Sequence, residues 1–244
     1  MNNFCIVSWN VQGLGGAQAQ KFKARLRQNL NKNFMRSVDM VFLQEHHLGP
    51  SRVDSYGSLF SGSWTHFWSP AIGESSNKAG FCIALAQKWS SHVINYRILV
   101  EGRVQVIIIE IQNLQLGFIN VYAHNAAADR RRLWSYMCDT LPQVDHWCMA
   151  GDFNMIEDKL DRSGGSKAIL YGSKLSFWKS LCCTYGFEDT WYSFSFSKHV
   201  ESLQFSRLDR GLLGTNLAQL DRFYATDFFI ALGGSLQILA GITF

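Results

Sequence analysis

Short apolar runs recur along the chain and predict buried β-strands. Several of these runs are rich in Val and Ile, and turn-forming residues separate them. The predicted strands cover residues 4–9, 38–44, 80–86, 92–99, 103–111, 116–123 and 146–150. Gly102 interrupts the longest stretch of strand-like sequence and predicts a hairpin turn.

Apolar positions with helical spacing predict three helices between the strands. The first has one apolar stripe with Lys and Arg residues between its members, at Phe22, Leu26, Leu30 and Phe34. The second covers residues 129–141, with Asp129 as its N-cap, and the third covers residues 171–185. Several neighbouring strands are joined by loops too short for a crossover helix, so the sheets should be mixed or antiparallel. The pattern therefore predicts a layered α/β sandwich.

Composition and charge narrow the class of protein without selecting a function. No Pro-, Gly- or Ser-rich or highly charged stretch divides the 244 residues, so we expect a single domain over residues 1–244. The net charge of +4 permits a polyanionic partner but does not require one. Two basic clusters, at 21–27 and 130–132, either contact phosphates or lie on solvated helix faces.

The cysteines and the two ends of the sequence provide evidence on where in the cell the protein is located. The six cysteines form no C-x-x-C pair and are expected to be reduced core residues, which favours an intracellular protein. The N-terminal residues do not match a secretory signal. Residues 228–244 carry no charge; we interpret them as a core strand that is cut off, the alternative being a tail anchor.

Isolated polar residues follow the predicted strands directly. They occur in the segments Trp9-Asn10, Gln44-Glu45-His46, Tyr122-Ala123-His124-Asn125 and Gly151-Asp152-Phe153-Asn154, and a fifth set occurs in Ser206-Arg207-Leu208-Asp209. Loops at strand ends gather at one rim of a sandwich, and carboxylates and amides there suit Mg²⁺, which takes few protein ligands plus water and phosphate oxygens. The pattern indicates a phosphate-ester site.

The order of these segments resembles that of the endonuclease/exonuclease/phosphatase family. The resemblance extends from residue 4 to about residue 213, and the cadence from Ser8 to Gly15 is most similar to the endonuclease domains of plant-type non-LTR retrotransposons. It implies a four-layered sandwich of two mixed β-sheets flanked by helices. It also implies a divalent metal, Mg²⁺ or Mn²⁺, and DNA as the partner.

The resemblance also implies a role for each site residue. Asn10 and Glu45 would hold the metal, Glu45 directly, and Asp152 would orient or deprotonate the attacking water. Asn154 would fix that geometry. Two further residues, Tyr122 and Asn125, would contact the phosphate, and Asp209 would orient a histidine. Each of these residues also has an ordinary interpretation.

The ordinary interpretations are structural ones. Asn10 and Asn154 could be turn residues, and Glu45 could lie at a solvated strand exit. Tyr122 could be a core aromatic, and Asp209 could pair with Arg207 or Arg210. We interpret the other histidines as structural or surface residues: His46, His47, His66, His92, His146 and His199.

Three positions depart from the family pattern. His124 replaces the usual proline, and Gln12 stands where many relatives have an aspartate. The family ends in a Ser-Asp-His segment, whereas no histidine follows Asp209 here, so we expect a truncated domain with weak or no activity.

The resemblance therefore implies a nuclear, monomeric endonuclease fold that nicks duplex DNA and lacks the polymerase domain of a full-length relative. Two alternatives stay open. One is a phosphatase of the same fold that acts on inositol phosphates or phospholipid head groups. The other is a non-catalytic remnant that only binds nucleic acid.

Overall fold

A computed structural model describes the chain at residues 4–14, 38–59, 63–71, 79–157, 162–163, 175–190, 207–211, 214–218 and 221–231. Its strands are β1 Ile6–Asn10, β2 Met40–Gln44, β3 Trp64–Ser69, β4 Phe81–Ala86, β5 Val93–Val100, β6 Val104–Ile111, β7 Leu114–Tyr122, β8 His146–Asp152, β9 Arg162–Ser163, β10 Glu188–Asp189, β11 Arg207–Gly211, β12 Gly214–Ala218 and β13 Asp221–Ala225. Its α-helices are α1 Pro50–Val53, α2 Ala127–Thr140, α3 Ser176–Tyr185 and α4 Asp227–Ala231. Two 3-10 helices lie at Asp54–Leu59 and Gln87–His92.

The first sheet has four strands in the order β1-β2-β4-β3. β1 and β2 run parallel, and the other two pairings are antiparallel, so the sheet is mixed. Every residue of β2 is buried, which explains its continuous apolar sequence. The parallel pairing brings Asn10 opposite Gln44, so both strands end at the same edge.

The second sheet has six strands in the order β10-β13-β8-β7-β6-β5. β5, β6 and β7 form an antiparallel meander, and Gly102 has a φ of 63° in the turn between β5 and β6. A left-handed φ favours glycine, so the hairpin predicted at this residue is confirmed. Together with the flanking helices, the two sheets confirm the predicted α/β class.

The chain divides into two compact units that share β8. Unit 1 contains residues 1–122 and 149–151, and unit 2 contains residues 123–148 and 152–244. The core of unit 1 is mainly aliphatic and includes Leu14, Val41, Leu43, Leu48 and Val53. In unit 2 four large aromatic side chains are almost fully buried and pack with ring centroids 4.7–6.0 Å apart: Trp134, Phe153, Trp178 and Tyr224.

All seven predicted strands are present, but some details differ from prediction. Asp129 is not the N-cap of α2; that position is Ala126, and Asp129 lies within the first turn. Residues 228–231 belong to α4 rather than to a strand. Cys183 is exposed, because it lies on the outer face of α3, whereas Cys82 and Cys148 are buried as expected.

Other expectations lie partly outside the described residues. The helix predicted around Phe22 to Phe34 lies entirely outside the described residues. Of the helix predicted at residues 171–185, the structure describes α3 from Ser176, and residues 171–174 lie outside the described part. A third sheet of three short strands, β11-β12-β9, had no counterpart in the prediction. Within the described chain, none of the helices is both long enough and apolar enough to cross a membrane.

Candidate functional site

The ends of β1 and β2 bring two predicted metal-binding residues together. Asn10 ends β1 and Glu45 directly follows β2, and the Asn10 Nδ2 donates a hydrogen bond to Glu45 Oε1 at 3.1 Å. The Asn10 Oδ1 accepts the backbone N–H of Gln12 at 3.1 Å, so Asn10 also forms the local turn that its residue type favours. Asn10 therefore forms the local turn and also lies next to Glu45, the other predicted metal ligand.

The backbone after β2 is held in an unusual conformation. Glu45 and His47 have φ values of 56° and 57°, which non-glycine residues adopt rarely and which cluster at functional sites. Backbone hydrogen bonds hold this segment on both sides. Gly13 donates to the Glu45 carbonyl at 2.7 Å, and His47 donates to the Ala79 carbonyl at 3.1 Å. This segment therefore presents the Glu45 side chain from a fixed backbone.

Three side chains donate hydrogen bonds to the Glu45 carboxylate. They are Asn10, His47, whose Nε2 lies 3.2 Å from Oε2, and the hydroxyl of Tyr122. Burial alone raises the pKa of Glu45, but these hydrogen bonds outweigh burial and hold the pKa below its ordinary value. Glu45 is therefore ionised at neutral pH while only about one fifth of its side chain is exposed. It is not the solvated strand exit that the ordinary interpretation describes.

His47, which the sequence suggested is a structural or surface residue, contacts the predicted metal ligand Glu45. Its position two residues after Glu45 in the same strand-exit segment is the signal that could have identified it. His46, in contrast, is structural as expected. It is fully buried and hydrogen-bonds the Ser69 and Phe81 carbonyls through Nε2 at 3.1 and 3.2 Å.

Buried amides lie directly behind the Glu45 segment in unit 1. The Gln44 Nε2 donates to Asn120 Oδ1 at 2.7 Å and to Ser8 Oγ at 3.0 Å. The Asn120 Nδ2 donates to the Leu43 and Cys82 carbonyls at 3.2 and 3.1 Å. Gln44 precedes Glu45, and Asn120 lies two residues before Tyr122. The amide pair thus links the strand ends that carry two of the predicted site residues.

In unit 2, the end of β8 positions Asp152 and Asn154. The Asp152 Oδ1 accepts the backbone N–H of Asn154 at 2.9 Å, and the Asn154 Nδ2 donates to the Ala123 carbonyl at 2.9 Å. Asp152 is largely buried, with 7% of its surface exposed. The side chain that forms the local turn is thus Asp152, and Asn154 reaches a residue distant in sequence. Phe153 between them is anchored in the aromatic core of this unit.

Gly151 precedes Asp152 and leaves no room for a side chain. It has a φ of 145°, and a Cβ at this position would lie 1.9 Å from the Val121 carbonyl oxygen. The glycine of the Gly-Asp-Phe-Asn segment is therefore required by close approach of β7 to β8.

Two predicted site residues remain, Asn125 and Asp209. Asn125 is exposed in the segment between β7 and α2, as expected for a substrate contact. Asp209 lies in β11, opposite Asn216 of β12, and its side chain is outside the described part of the structure. The predicted role of Asp209 therefore stays a prediction.

The donor set in unit 1 fits a hard divalent cation. Glu45 supplies an ionised carboxylate, and Asn10 supplies an amide oxygen, which are the ligand types that Mg²⁺ takes. Among the described residues, no group of three or more His, Cys, Asp or Glu side chains is suited to hold a metal. Mg²⁺ keeps several waters and needs only one or two carboxylates from the protein, so Glu45 with Asn10 is compatible with it.

Solved structures with a similar fold include three whose descriptions name an endonuclease or a complex with DNA. The AP endonuclease LMAP from Leishmania major gives a TM-score of 0.67 at 16% identity and covers 93% of this chain and 80% of that protein. D. rerio TDP2 complexed with single strand DNA product gives 0.63 at 18% identity, with 91% and 83% covered. The endonuclease domain of TRAS1, a telomere-specific non-LTR retrotransposon, gives 0.58 at 13% identity, with 94% and 88% covered.

At these sequence identities, the similar structures establish the fold alone. A comparison with curated proteins found no significant match. The family itself is established by a direct sequence match. The pattern of the endonuclease/exonuclease/phosphatase family matches residues 7–241, which includes every site residue described above. On that evidence, this chain belongs to the endonuclease/exonuclease/phosphatase family.

Proposed function

We propose that this chain is a divalent-metal-dependent phosphodiesterase that nicks duplex DNA. The observation that carries the proposal is the Glu45 carboxylate, which stays ionised although it is largely buried because Asn10, His47 and Tyr122 donate to it. Several donors that converge on one largely buried carboxylate and keep it ionised are typical of a functional site. Family membership supports the reaction type.

In this proposal the predicted site residues have distinct tasks. Glu45 and Asn10 hold Mg²⁺ or Mn²⁺, which when bound neutralises charge on the phosphate oxygens. Asp152 accepts a proton from the attacking water, and Asn154 holds the Asp152 segment through the Ala123 carbonyl. Asn125 donates a hydrogen bond to the phosphate, and on substrate binding the Tyr122 hydroxyl turns from Glu45 to donate to it as well.

Two observations favour DNA and the retrotransposon type. The similar structures described above are an AP endonuclease, a protein complexed with DNA, and a retrotransposon endonuclease domain. The net charge of +4 is compatible with a polyanion. A retrotransposon enzyme of this kind acts in the nucleus and leaves a 3′ hydroxyl that primes a polymerase.

The test is nicking of supercoiled plasmid in Mg²⁺ by the unmodified chain, Glu45→Gln and Asp152→Asn, with Asp139→Asn as matched control. Asp139 is an exposed acid on α2, so its loss changes charge without touching the site. We expect relaxation by the unmodified chain and the control, with losses of about 10²- to 10⁴-fold in the two site variants.

The alternatives give different results in the same set of proteins. Release of phosphate from inositol phosphates without plasmid relaxation would replace the proposal with the phosphatase hypothesis. Plasmid binding without either activity, in protein that is shown to be folded, would leave a non-catalytic nucleic-acid-binding remnant.

A further inference from the structure

Arg130 differs from the arginines beside it. It lies in the first turn of α2 and only 7% of its surface is exposed, whereas the side chain of Arg132, two residues on, is 82% exposed. The sequence analysis placed both in one basic cluster on a phosphate-contacting or solvated face. The structure separates them, and Arg130 faces the interior of unit 2.

This is an unfavourable place for a cation. Burial removes the charge from water, and the first turn of a helix carries a partial positive charge of its own. Burial lowers the pKa of Arg130, and the Asp152 carboxylate offsets part of that effect. The guanidinium therefore needs specific partners to remain there.

Those partners belong to predicted site segments of the same unit. The Arg130 Nη1 donates to the carbonyl of His124 at 2.7 Å and to the carbonyl of Asn125 at 2.6 Å. Its positive charge also acts on Asp152, the predicted acceptor of a proton from water. A single side chain thus interacts with the predicted phosphate-binding segment and with the predicted base.

We propose that Arg130 is a positioning residue: it fixes the His124–Asn125 backbone so that the Asn125 amide meets the substrate phosphate, and it presents a fixed positive charge to Asp152. The proposal rests on the proposed function. A guanidinium suits the task because its donors are held in a rigid plane and it stays charged when buried.

The test compares Arg130→Met, Arg130→Lys and the exposed control Arg132→Met, each also in an Asn125→Ala background. We expect Arg130→Met to lower kcat/KM by about 10- to 100-fold in the unmodified background, because small misplacements of a contact are costly. In the Asn125→Ala background the same change should lower it by no more than about 3-fold, because the contact that Arg130 positions is already absent. Arg130→Lys should recover part of the rate, and Arg132→Met should have little effect.

Hydrogen exchange of residues 123–126 provides a readout that does not depend on activity. These amides should exchange faster in Arg130→Met than in Arg132→Met, while amides of β6 should not change. Unchanged exchange at 123–126, or an equal loss of rate in both Asn125 backgrounds, would overturn the positioning role. Absence of cleavage by the unmodified chain would instead reject the proposed function, and the exchange result would still decide the role of Arg130 in holding the segment.

Discussion

At the scale of single residues, His46 shows how the Glu45 segment is held. The imidazole is fully buried; Nε2 faces the Ser69 and Phe81 carbonyls, and Nδ1 accepts the backbone N–H of Leu48 at 3.0 Å. These contacts require a neutral ring with its proton on Nε2. Burial lowers the pKa of His46 to about 4, although the two carbonyls partly oppose this shift.

The stability of the folded protein should therefore decrease as the pH falls from 6.5 to about 4. The unfolded chain takes up a proton at His46 near its ordinary pKa of 6.5, whereas the folded protein does not do so until about 4. The contribution is fully present above 6.5 and is lost progressively down to 4, by up to about 3 kcal/mol. Urea unfolding at the two ends of this window measures the difference. In His46→Gln the decline should be smaller by that amount, and an unchanged decline would contradict the assignment.

Gly151 is the residue for which backbone geometry matters most in the Gly-Asp-Phe-Asn segment. Gly151→Ala forces a Cβ against the Val121 carbonyl oxygen, and we expect a loss of at least about 2 kcal/mol in the free energy of unfolding. Gly186→Ala is the matched control, because its φ is also positive at 69° but the nearest atom to its Cβ lies 4.0 Å away. The control should lose only about 1 kcal/mol. Equal losses in denaturant unfolding would show that close approach of β7 is not the cause.

At the scale of elements, the strands were more predictable than the helix ends. The strand sequences are apolar and rich in branched residues, and most predicted bounds lie within a few residues of those observed. The N-terminus of α2 was misplaced because Asp129 looks like a cap, whereas the helix begins earlier and Arg130 bonds the carbonyls before it. β9 has only two residues, and the five-residue strands β11 and β12 consist mostly of polar residues and glycine, so no apolar run marks them.

The candidate site shows a similar contrast between residues that lie next to strands and residues that depend on long-range contacts. Asn10, Glu45, Asp152 and Asn154 could be predicted because each directly follows a recognisable strand or lies within two residues of one. His47, Arg130 and the Gln44–Asn120 pair could not, because their roles depend on which residues distant in sequence they meet. Long-range contacts of this kind leave no local pattern.

The Gln44–Asn120 pair gives a prediction at this scale. Gln44→Leu removes the donor to the buried Asn120 Oδ1, and Asn120→Leu removes the shorter of the two hydrogen bonds of Gln44 Nε2, so each should cost about 1–3 kcal/mol in the free energy of unfolding. The double variant should cost clearly less than the sum, because the hydrogen bond that joins the two amides is lost only once. Chemical denaturation of all four proteins measures the coupling, and additive losses would show that the two amides act independently.

For the whole molecule, a single family match spans nearly the entire chain, and the two compact units each carry part of the predicted machinery. Metal binding should be visible without any substrate. Millimolar Mg²⁺ or Mn²⁺ should raise the Tm of the unmodified chain, because a ligand bound only by the folded state stabilises it. Glu45→Gln should remove this shift, whereas Glu110→Gln, an exposed acid on β6, should keep it. The same shift in Glu45→Gln would place the metal elsewhere.

The most direct test of the central claim is single-turnover cleavage of an end-labelled DNA duplex in Mg²⁺, with identification of the product ends. The account predicts metal-dependent cleavage that leaves a 3′ hydroxyl, is abolished by chelation, and is lost in Asp152→Asn but not in Asp139→Asn. Cleavage that persists in Asp152→Asn, or no cleavage by folded protein at any enzyme excess, would contradict it.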